Sequence, residues 1–93
     1  MESLGKQMPS DVYLVYVRTP EEYAQGHLPG SVNVPLEALR GIEDLVTDYD
    51  APIRVYCHSG ARAARAAIKL SEWGYTRVEN IGGIINWNGS TEV

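Results

Sequence analysis

The sequence predicts an α/β domain: a small parallel β-sheet of four to five strands, flanked by helices on both faces. Two observations carry that expectation. Short β-branched runs alternate with helical patterns along the chain, and such an alternation makes successive strands parallel, each joined to the next by a helical crossover. The first run, VYLVYV at 12–17, is apolar or aromatic throughout instead of at every second residue, which marks a strand buried on both faces.

Each element has its own local signal. TPEE at 19–22 places Thr19 as N-cap, Pro20 at the first helical position and Glu22 at the third, a capping box with the first φ already set by proline. That helix is short, because Gly26 and Pro29 follow. SVNVP at 31–35 reads as a second short strand, closed by a proline that cannot donate to a ladder. LEALRGIEDLV spaces Leu36, Leu39, Ile42, Leu45 and Val46 as the apolar stripe of a helix. After a turn at DYDAP, IRVYC at 53–57 is the third strand. Residues 61–73 form a helix with Arg62, Arg65, Lys69 and Glu72 on its polar side and Ile68, Leu70 and alanines elsewhere, stopped by Gly74. TRVENI is a fourth strand, GG a turn, and IINWNG one further helical turn, with Trp87 packing it onto the sheet.

Ninety-three residues make a single domain, with 1–11 as a lead-in and 90–93 as a tail. The composition, 44% apolar and 22% charged, is that of an ordinary globular protein. Twelve acids against eight bases give a net charge of −4, which argues against nucleic acid as a partner and makes any anion site a local one. One cysteine allows no internal disulfide, and with no Cys/His ligand spacing beside it a structural zinc site is not expected. No apolar run reaches membrane-spanning length, and MESLGKQMPSD has no leader core. A cytoplasmic protein is expected; a periplasmic one whose leader had been removed would read the same.

The chemistry concentrates in VYCHSGARAARAAIKL. Cys57 ends a buried strand, and sites in open parallel sheets form at such carboxyl ends. A thiolate, the reactive form of cysteine, is favoured at a helix N-terminus and beside cations. Both are at hand here. The loop from His58 through Ser59, Gly60 and Ala61 to Arg62 can turn its N–H groups toward the sulfur, and the following helix adds the positive end of its dipole. Arg62 and Arg65, three residues apart, face the same way in this reading and can hold an anion between them. The plainer alternatives are a small buried hydrophobe at Cys57 and two solvated arginines on a helix face. His58 is read as part of the turn, because neighbouring side chains in an extended loop point apart.

Three segments in order, VRTPEEYAQGHLPGSVNVP, VYCHSGARA and LSEWGYTRVENIGGIINW, make the chain resemble the rhodanese family from Val12 to Gly89. Within it the likeness is to small single-domain bacterial thiosulfate sulfurtransferases, the phage-shock type among them. The resemblance implies that Cys57 takes the outer sulfur of thiosulfate as a persulfide and yields it to cyanide, another thiol or a sulfur-accepting protein, with no metal or organic cofactor needed. Loop amides from His58 to Arg62 would stabilise the sulfur, and Arg62, with Arg65 as a weaker second cation, the sulfonate oxygens. Two departures stand out. Where the family often has Asp-Val-Arg this chain has Tyr16, Val17 and Arg18, so Arg18 is expected to pair with Glu21 or Glu22, and Arg18 and His27 are carried over only as supports of the fold. Eleven residues before Val12 leave little room for the family's usual first strand and helix. Phosphatases and arsenate reductases of the same fold place five residues between cysteine and arginine, whereas Cys57 and Arg62 have four between them, a ring better suited to one sulfur atom. Non-catalytic members of the family, which act as binding modules, typically lack the cysteine that is present here.

Overall fold

The computed structural model describes residues 12–87, 89 and 91–93. Its elements are β1 (Tyr13–Tyr16), α1 (Pro20–Gln25), β2 (Val32–Asn33), a 3₁₀ stretch (Leu36–Gly41), α2 (Ile42–Leu45), β3 (Ile53–Cys57), α3 (Ala61–Glu72), β4 (Val78–Gly83) and a 3₁₀ turn (Ile84–Asn86). Among the described residues the sheet has four strands, all parallel, in the order β2-β1-β3-β4. The lead-in at 1–11, on which the expectation of a fifth strand rested, lies outside the described residues. Among the described residues no helix is long and apolar enough to cross a membrane.

The strand order has a functional consequence. From β1 the chain moves outward to β2, then returns past β1 to add β3 and β4 on the other side. The direction of winding therefore reverses between β1 and β3, and a crevice opens at their carboxyl ends. Cys57 is the last residue of β3, and Arg18 lies two residues past β1.

Both sheet faces are covered, as the unbroken apolar runs require. Val15, Val17, Ile53, Val55 and Cys57 face one side, where they pack with Leu39, Ile42, Val46, Ala63, Ala66 and Leu70 from the 3₁₀ stretch, α2 and α3. Tyr16 and Tyr56 face the other, together with Leu28, Tyr23 of α1 and Ile84. Register partners on adjacent strands, these two tyrosines stack with centroids 4.5 Å apart and planes 7° apart. The Tyr56 hydroxyl then accepts the Leu28 N–H at 2.8 Å and shares a hydrogen with the Ser31 hydroxyl at 2.8 Å, tying the turn before β2 to the centre of the sheet.

The capping signals hold as written. Thr19 Oγ1 accepts the Glu22 N–H while the Glu22 carboxylate accepts the Thr19 N–H, and Pro20 opens α1. At the other end of α3, Gly74 has φ +106°, with its N–H on the Ser71 carbonyl and the Tyr75 N–H on that of Leu70, a Schellman stop.

Three expectations are corrected. The 36–46 segment is a kinked 3₁₀-to-α passage with Ala38 off helical geometry, which buries Leu39, Ile42 and Val46 but leaves Leu45 exposed. Ile68 is 61% exposed and stands on the outer face of α3, because the narrow gap between helix and sheet is filled by Ala63, Ala66 and Leu70. Gly82 and Gly83 end β4 in place of forming a turn.

Tyr56→Phe keeps the ring stack but strands a buried N–H on Leu28. The expected loss is about 1–3 kcal/mol, read as a lower urea midpoint with unchanged slope.

Candidate active site

Between the end of β3 and the start of α3 lie only His58, Ser59 and Gly60. To reverse direction so sharply, Gly60 takes the left-handed conformation, φ +105°, which glycine adopts without strain. Its N–H is thereby turned back onto Cys57 Sγ at 3.0 Å. The cysteine is 2% exposed, yet it is not sealed in hydrocarbon: it lines a cavity of about 200 Å³ with Arg18, His58, Ser59, Ala61 and Arg62. The first turn of α3 carries no acidic side chain, and the N-cap glycine has no side chain to occupy its free amides. Those donors and the positive helix end favour an anion at the sulfur.

The glycine pair at the end of β4 makes this loop possible. Opposite Cys57 the β3–β4 register shifts, pairing Cys57 with Gly83. A Cβ at Gly83 would stand 2.2 Å from the His58 carbonyl oxygen and 2.6 Å from Ser59 Cα, so only glycine lets the loop lie against the strand. The Ile85 N–H then holds the His58 carbonyl at 3.2 Å. The sequence signal for this support was the Gly-Gly pair itself, read as a turn.

The structure separates the two helix arginines. Arg62 lines the Cys57 cavity, whereas Arg65 lines a different groove with Leu36, Ile68, Lys69 and Glu72. Three residues along a helix rotate a side chain by about 60° and advance it about 4.5 Å, away from a sulfur at the N-terminal end. Arg18 reaches the cavity instead, although sequence reasoning assigned it to the fold alone. Tyr16 accepts a hydrogen bond through its hydroxyl from Arg18 Nη1 at 3.1 Å. Arg18 Nε is buried and has no hydrogen-bond partner among the described residues. His27 does not line the cavity; buried, it stacks on Tyr23 at 3.7 Å, and its backbone pairs with Glu92 in the tail.

Sequence reasoning also missed the bridging role of Glu22. Its carboxylate accepts from Arg18 Nη2 and, at 3.0 Å, from Arg62 Nη1, forty residues further along the chain. The Thr19 N–H holds the carboxyl low, at about 2, against desolvation and with help from Arg62, the Thr19 hydroxyl and Arg18. Two guanidiniums against one carboxylate leave the site locally positive in an acidic protein.

The Glu22 shift fixes a sign. A carboxyl held at about 2 when folded, against an ordinary value of 4.5, contributes stability that is complete above the ordinary value and is lost as pH falls through the folded one. Urea midpoints of the wild type should therefore fall between about pH 5 and pH 2 more steeply than those of Glu22→Gln. Parallel curves would contradict the assignment.

The Rhodanese-like domain family model matches residues 2–90. The thiosulfate sulfurtransferase PspE of Escherichia coli is 44% identical over 69 residues, which cover 73% of this chain and 66% of that one. A sulfurtransferase of Allochromatium vinosum is 40% identical over 90 residues, 92% of this chain and 82% of the relative. Among solved structures, a rhodanese with anions from E. coli superposes with a TM-score of 0.81 at 36% identity, covering 87% of this chain and 96% of that one. The chain thus belongs to the rhodanese-like domain family.

Proposed function

We propose that the protein is a sulfurtransferase that moves the sulfane sulfur of thiosulfate through a persulfide on Cys57 to cyanide or a thiol. The observation that carries this reading is the Gly60 N–H on Cys57 Sγ at the foot of a cavity walled by Arg18 and Arg62. The relatives named as sulfurtransferases support it.

In the first half-reaction the Cys57 thiolate attacks the outer sulfur of thiosulfate. A new S–S bond forms to Sγ, and the bond to the sulfonate sulfur breaks with its electron pair, releasing sulfite. Arg62 holds the sulfonate oxygens, and the loop amides from His58 to Arg62 stabilise the transferred sulfur. His58, Ser59 and Ala61 act as cavity wall. Arg65 lines a separate groove, so the scheme assigns the sulfonate to Arg62. In the second half-reaction the acceptor attacks the terminal sulfur, the S–S bond breaks toward Sγ, and the thiolate returns. With cyanide the product is thiocyanate. No redox cofactor or metal enters this scheme, since both steps are displacements at sulfur.

Cys57→Ala should abolish thiocyanate formation, and Arg62→Ala should raise KM for thiosulfate by about ten-fold or more with a smaller change in kcat. Intact mass after thiosulfate treatment should show one added sulfur in the wild type and none in Cys57→Ala. Hydrolysis of an aryl phosphate through Cys57, with thiosulfate ignored, would overturn the reading in favour of a phosphatase.

A further inference from the structure

Glu22 does not line the Cys57 cavity; it stands behind the two arginines that do. Arg18 comes from the end of β1 and Arg62 from the first turn of α3, and the Glu22 carboxylate joins them. Arg62 needs such an anchor. Its side chain is 41% exposed, and a long side chain that reaches partly into water retains many rotamers unless a fixed partner selects one.

Glu22 is itself held. It is the third residue of α1, and its Oε1 accepts from the Thr19 N–H at 2.9 Å and the Thr19 hydroxyl at 3.1 Å. The start of α1 thus determines where the carboxylate is, and the carboxylate determines where the guanidiniums are. Electrostatics alone would disfavour this arrangement, because a carboxylate beside an anion site repels the ligand. Its presence makes sense as orientation gained against charge lost.

We propose that Glu22 is a positioning residue: it pins Arg18 and Arg62 to the cavity wall, so that an oxyanion-bearing sulfur donor enters with its reactive sulfur toward Cys57. The proposal rests on the reading of Cys57 as the nucleophile toward an anionic donor. It goes beyond that reading in giving Glu22, which touches no substrate, control over anion selectivity.

The test compares alkylation of Cys57 by iodoacetate, an anion, and by iodoacetamide, its neutral counterpart of similar size. Glu22→Gln keeps the capping box, which accepts Gln as readily as Glu, but removes the charge that draws in both guanidiniums. If Glu22 positions them, the iodoacetate-to-iodoacetamide rate ratio falls roughly five-fold or more. Were Glu22 only a repelling charge, the ratio would rise; were it only a helix cap, both rates would change together and leave the ratio as it was. Either result overturns the proposal. Glu22→Asp supplies a second reading, since it keeps the charge and shortens the reach by one methylene: positioning lowers the ratio here too, and a wild-type ratio contradicts it. Neither measurement needs sulfur transfer. A wild type that takes no sulfur from thiosulfate would overturn the proposed function while leaving the alkylation result to judge Glu22.

Discussion

The structure depends on one short contact, the Gly60 N–H pointing at Cys57 Sγ across a three-residue loop. For that amide to face the sulfur, residue 60 must adopt a left-handed φ, the loop must reverse within one turn, and the strand beside it must offer no side chain. Gly60 meets the first demand and Gly83 the third. The second is met by the loop's length, three residues from His58 to Gly60 between β3 and α3. Because β1 and β3 are adjacent and their connections diverge, a crevice is left at their carboxyl ends, where the cavity forms.

Around this contact an acidic protein builds a positive site. It does so with two arginines from distant parts of the chain rather than with a basic surface. Each is restrained: Arg18 by Tyr16 and Glu22, Arg62 by Glu22 alone among the described residues. The carboxylate lowers the local charge and raises the local order. A helix N-terminus without an acidic first turn supplies the rest of the field. These parts agree in sign, and the sulfur is where they converge.

What was legible in the sequence was local. The boundaries of β3 and the start of α3, the Thr19 capping box and the Gly74 stop rest on residues within four positions of one another, so their chemistry is visible in a short window. The position of Cys57 at a strand end followed from the same windows. Contacts across the chain were not legible. Nothing near Glu22 announces Arg62, and a helical repeat puts Arg62 and Arg65 on one face without saying which of them the end of a neighbouring strand can reach. The Gly82–Gly83 pair was visible, but a turn and a close backbone approach use glycine for different reasons, and only the register with β3 separates them. The kink at Ala38 has the same origin, since an apolar stripe predicts which residues are buried and not the path between them.

The central claim is that backbone donors at the start of α3 hold a negatively charged sulfur on Cys57. A crystal structure of the thiosulfate-treated protein tests it most directly. The account predicts a second sulfur bonded to Sγ inside the cavity, within hydrogen-bonding distance of the loop amides that follow Cys57. An unmodified Sγ, or an added sulfur turned away from those amides, would contradict it.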